Sequence, residues 1–170
     1  NIIKELAKCK HPQSRRTLAL AKKVKKINAR EKKKTGHAIK ANIVGKKLGW
    51  FAEKLEKRTE PLKPVEYENL ILEYLDRFNE ELEQIKLIQS INKKRATQHA
   101  SRESVIKMTL DKERQDFNGG GLELPGLCDP IEFKKFQDWD GNSHSIQHLK
   151  LMFISKKYLN QLKVDEKKME

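Results

Sequence analysis

Apolar residues recur at three- and four-residue spacing through much of this 170-residue chain, the spacing of helices that bury one face. The first run follows Pro12 and Ser14, residues suited to a helix start, and reaches Lys34 without a glycine or proline. On a wheel of about 100° per residue, Thr17, Leu20, Val24, Ile27 and Glu31 share one narrow stripe. The pair Thr35-Gly36 is expected to interrupt or loosen this run. A second helical pattern follows through Ala41, Val44, Leu48, Phe51 and Leu55, with Trp50 beside it. Gly45 and Gly49 each weaken it by about 1 kcal/mol relative to alanine, so packing must hold it.

Pro61 to Pro64 reads as a turn, and a third helix is expected from about Val65 to Ile91. Leu70, Ile71, Tyr74, Leu75, Phe78, Leu82, Ile85 and Ile88 form its apolar face, opposite a face rich in glutamate. The short linker before it predicts an antiparallel helical hairpin. Asn92 to Ala100 reads as an exposed polar loop, and Ser101 as the N-cap of a helix through Val105, Ile106, Leu110 and Phe117. Asn118-Gly119-Gly120-Gly121 ends that helix. Asp129-Pro130-Ile131-Glu132 opens a short one lined by Phe133, Phe136 and Trp139. Residues 146–154 fit either a strand or a buried strap. The fold class is mainly α: a long basic N-terminal helix, a small helical bundle or hairpin, and a short extended C-terminal segment. The expected organisation is a basic arm over residues 1–36, a helical body over 37–158 and a polar tail over 159–170.

Charge adds what periodicity leaves out. Residues 1–58 hold nineteen Lys/Arg against four acids, a net of +15, while residues 59–170 hold eighteen against twenty, a net of −2. The formal charge of +13 is therefore confined to about a third of the chain, which marks a surface for a polyanion. Arg15, Arg16, Lys22, Lys23, Lys25, Lys26, Arg30, Lys32, Lys33 and Lys34 surround the first apolar stripe over about 200° of the wheel. With only Glu31 among them the helix repels itself, so alone it should be marginal, and a bound polyanion would relieve the repulsion. Lys46, Lys47, Lys93, Lys94, Arg95 and Arg102 are secondary candidates for phosphate contact. The runs Lys22-Lys23-Val24-Lys25-Lys26 and Lys32-Lys33-Lys34 also have the character of nuclear import signals.

Other chemistry finds little support. Apolar residues make up 36% of the chain, about 41% with glycine, against about 45–50% in ordinary globular proteins, and charged residues 36% against about 25%, so the core must be small. No stretch of about 18 apolar residues is present to span a membrane. Cys9 and Cys128 match neither a disulfide framework nor a zinc spacing, which favours a reducing compartment. Among the histidines only His144 and His148 have a metal-like spacing, and no glutamate follows His144 to complete a hydrolase motif. Gly119-Gly120-Gly121 lacks the lysine and the following helix of a phosphate-binding loop. No nucleophile–base arrangement is visible; no enzyme activity, cofactor or metal is expected.

Several strings, taken in order, resemble one family. They are His11-Pro12-x-Ser14-Arg15, His37-Ala38, Asn42-Ile43, Gly45, Lys47-Leu48-x-Trp50-Phe51 and Tyr74-Leu75-x-Arg77-Phe78. Glu81 to Ile85, Ser101-Arg102-Glu103-x-Val105-Ile106-Lys107, Glu113-Arg114-Gln115 and Phe136-x-x-Trp139-Asp140 continue the set. In order and spacing, over roughly residues 11–140, they resemble the translation machinery-associated protein 16 family. The resemblance implies a non-enzymatic, mainly helical factor of ribosome biogenesis in the nucleus, in the nucleolus or nucleoplasm. It would associate, as a monomer, with rRNA and ribosomal proteins of the large-subunit (pre-60S) precursor and leave before translation. The family supplies no catalytic or ligand motif, so the candidate rRNA-binding residues rest on charge geometry. The alternative is a nuclear protein–protein adaptor whose basic helix binds an acidic protein.

Overall fold

The computed structural model describes residues 2–91 and 99–169. It is mainly α-helical, with seven α-helices and one two-stranded sheet among the described residues. The chain forms two compact units, residues 1–46 and 47–170, whose boundary falls inside a helix. No helix among the described residues is long and apolar enough to cross a membrane.

In the N-terminal unit a short helix α1, Ile2–Ala7, precedes the long helix α2, Arg15–Leu55. Ser14 caps α2 as the sequence predicts: its hydroxyl accepts from the Thr17 N–H at 3.1 Å, and Thr17 Oγ1 donates to the His11 carbonyl at 2.7 Å. The expected interruption at Thr35-Gly36 does not occur, and α2 runs straight through it. Glycine costs a helix about 1 kcal/mol but keeps its N–H, and beyond Thr35 and His37 the strong helix formers Lys32 to Lys34 and Ala38 stand on either side. Only proline removes the hydrogen bond that would force a break.

The second unit begins with the last turns of α2, which bury Leu48, Phe51 and Leu55. Helix α3, Pro64–Leu75, follows the predicted turn, with Pro64 in its first turn and the Glu66 carboxylate accepting from the Lys63 N–H at 2.9 Å. Trp50 meets Tyr74, Lys54 pairs with Glu73, and Arg58 pairs with Glu66. Early residues thus meet late ones, the order of the antiparallel hairpin expected from the short linker.

The single third helix expected to Ile91 is in fact two, α3 and α4, Asn79–Ile91. The Asp76 N–H reaches the carbonyls of Leu72 and Glu73, and Arg77 turns its guanidinium back to the Tyr74 carbonyl at 2.9 Å. Apolar spacing stays in phase across this break, through Tyr74, Phe78, Leu82 and Ile85, and so could not reveal it. The cause is non-local: Arg77 lies over the Tyr74 and Phe78 rings and pairs with Glu113, far along the chain.

Helix α5, Ala100–Asn118, starts at a His99 N-cap, so Ser101 lies inside the helix and does not cap it. Gly119 ends α5 as predicted. Ile106 and Leu110 of α5 close a small core with Ile85, Phe78 and Leu82. Strand β1, Leu122–Pro125, pairs antiparallel with β2, Leu151–Ile154, in the register Leu122 to Ile154 and Leu124 to Met152. This settles the open alternative for residues 146–154: a 3-10 turn over Ser145–His148, then a strand. Between the strands lies α6, Pro130–Gln137, whose Asp129 cap accepts from the Ile131 N–H at 2.9 Å. Residues 159–170 are not the expected polar tail: α7, Lys156–Met169, packs on α3 and α5, buries Leu159 and pairs Lys163 with Glu68. Its apolar positions are few, which is why the segment reads as polar.

Candidate nucleic-acid interface

The stretch of α2 from Arg15 to Lys46 carries the basic surface. The stripe is real but short: Leu20 is buried and Thr17, Val24 and Ile27 are half-buried, while Glu31 is exposed. All ten cations predicted around it are exposed: Arg15, Arg16, Lys22, Lys23, Lys25, Lys26, Arg30, Lys32, Lys33 and Lys34. Among the described residues none of the ten has an ion-pair partner. From Asn28 to Lys40 every residue except Gly36 is exposed, so this part of the helix is solvated on all sides.

Sequence reasoning ended the basic run at Lys34 because it expected a break at Gly36. Continuity of α2 adds the exposed Lys40 and Lys46 to the same helix. The absence of proline after Ser14 was the signal that allowed a longer helix. The 32 residues from Arg15 to Lys46 span about 48 Å.

The secondary candidates divide. Lys46 is exposed. Lys47 is half-buried; its Nζ donates to the Glu123 carbonyl at 3.2 Å, and burial pulls its pKa below the ordinary lysine value. Arg102 makes two hydrogen bonds to Glu81, at 2.7 and 2.9 Å, which hold the Glu81 carboxyl below its usual range. Lys93, Lys94 and Arg95 lie outside the described residues. The structure thus gathers the primary set on one helix and commits two of the secondary cations, Lys47 and Arg102, to partners within the body.

Such a helix offers phosphate oxygens a dense, solvated array of ammonium and guanidinium groups with no internal carboxylate to displace.

Comparison with known proteins places the chain. A profile of the family described as translation machinery-associated protein 16 matches residues 6–156. A Drosophila melanogaster homologue of translation machinery-associated protein 16 is 56% identical over 100% of this chain and 95% of its own. The Danio rerio protein is 38% identical over 86% of this chain and 76% of its own, and the Xenopus laevis protein 37% identical over 85% and 74%. Match and identity extend across both the basic helix and the body, and the chain belongs to the translation machinery-associated protein 16 family.

Proposed function

We propose that this protein is a non-enzymatic assembly factor of the large ribosomal subunit, acting in the nucleus on pre-60S particles. Its α2 helix lies along rRNA phosphates, and its body docks on ribosomal proteins. The observation that carries this reading is the set of ten exposed, unpaired cations around one short apolar stripe. Membership of a family named for its association with the translation machinery supports ribosomal RNA as the polyanion in this reading. The narrow, deep groove of A-form RNA suits a helix that reads charge and shape.

Replacing Lys22, Lys23, Lys25 and Lys26 together by glutamine should release the protein from large-subunit precursors at moderate salt. Gradient sedimentation of nuclear extracts measures this. Unaltered co-sedimentation would refute the role given to α2. Nuclease digestion of the purified complex separates this reading from the acidic-protein adaptor: partners lost with the RNA support it, and partners retained count against it.

A further inference from the structure

A groove of about 580 Å³ opens on the body between the last turns of α2 and the end of α6. Its floor is apolar: Ala52, Leu55, Phe136 and the half-buried Trp139, whose ring stacks on Phe136 with centroids 6.0 Å apart. Its rim carries the carboxylates Glu53, Glu56 and Asp140. Neither lysine nor arginine lines it, although the chain holds 37 of them.

The electrostatics of this groove are one-sided. Of the neighbouring cations, Lys54 and Arg58 are drawn to the α3 side by Glu73 and Glu66, Lys57 lines the hollow on that same side, and Lys135, beside Trp139 and Asp140, pairs with Glu132. Asp140 accepts from neutral donors, the Asn142 N–H and the Ser145 hydroxyl. Glu53 and Glu56 are exposed and in no ion pair among the described residues. Independently of these side chains, α2 ends at Leu55 and α6 at Gln137, so two helix C-termini present their negative ends here. Trp139 adds an aromatic face, the surface that draws a cation.

We propose that this groove binds a lysine- or arginine-bearing segment of a protein partner. The cation sits by Trp139 among Glu53, Glu56 and Asp140, and the aliphatic stem covers the apolar floor. A long basic side chain meets both needs, since its methylenes bury while its head stays polar. A neutral apolar segment would leave the three carboxylates facing it uncompensated, and a polyanion would be repelled. The proposal stands apart from RNA binding by α2, because it uses other residues of opposite charge.

The test uses the full chain and a short labelled peptide of lysine, arginine, alanine and leucine, followed by fluorescence anisotropy. Glu53→Gln with Glu56→Gln should weaken binding about tenfold and leave the fold unchanged. In NMR titration, the Trp139 indole N–H signal should shift as peptide is added. A peptide with glutamate in place of its basic residues should not bind. The Lys22, Lys23, Lys25 and Lys26 to glutamine variant should bind peptide as the parent does. Equal binding by the Glu53/Glu56 variant, or an unmoved Trp139 signal, would overturn the proposal. So would tighter peptide binding in the lysine variant, which would make α2 the occupant, or concentration-dependent dimers dissolved by peptide, which would make it a second copy.

Discussion

Arg77 shows how one residue holds several elements. Its guanidinium lies 3.8 Å from the Tyr74 ring centroid and 4.4 Å from that of Phe78, and pairs with Glu113 at 2.7 Å. Glu113 also accepts from the Tyr74 hydroxyl at 2.9 Å; burial first, and this carboxylate next, push the phenol pKa up. Both partners are largely enclosed, at 14% and 16% exposed, so the pair is screened far less than a surface salt bridge. Replacing Glu113 by alanine leaves a guanidinium and a phenol without their acceptor. The expected loss is about 2–3 kcal/mol, read from the shift of the urea midpoint. A loss below about 0.5 kcal/mol, the range of ordinary surface changes, would show that the network is solvated and carries little. At the same scale, burial pushes the half-buried Cys128 thiol up to about 11, further from the thiolate form than an exposed cysteine.

At the scale of elements, the structure separates what local pattern encodes from what contacts decide. The start of α2 at Ser14, the cap at Asp129 and the stop at Gly119 were legible because each is local hydrogen-bond chemistry. The break between α3 and α4 was not, because it depends on Glu113, thirty-six positions from Arg77. Strand β1 was missed although Leu122 and Leu124 alternate with Glu123; four residues are too short a signal until β2 supplies the other half. Within the candidate interface the ten cations were legible from composition and wheel position, whereas the engagement of Lys47 and Arg102 was not. Gly36 tests why α2 continues. A Cβ there meets nothing within 4 Å, so Gly36→Ala should add about 1 kcal/mol of helix stability without a clash. Amide exchange between Asn28 and Lys40 should slow about fivefold. Unchanged or faster exchange would mean that something other than glycine entropy limits this stretch.

At the scale of the molecule, charge and burial are divided between the two units. Among the described residues, Leu20 is the only buried hydrophobic one in the unit of residues 1–46, while the unit of residues 47–170 holds the rest of the apolar core. A surface of this kind gains affinity by releasing counterions from phosphates, so its signature is the salt dependence of binding. If about six α2 cations contact phosphate on a duplex RNA, log K should fall against log salt with a slope of roughly −4 to −5. Removing Lys22, Lys23, Lys25 and Lys26 should flatten that slope by about three units, since each phosphate contact contributes a little under one. Arg102→Gln should leave it nearly unchanged, because that guanidinium is already held by Glu81. Anisotropy titrations of duplex RNA over a series of salt concentrations measure all three chains. Equal slopes for the parent and the four-lysine variant would place the phosphate contacts elsewhere. A B-form DNA duplex of the same length, run at matched salt, separates shape from charge: equal or tighter DNA binding would remove the preference for A-form RNA and leave charge alone.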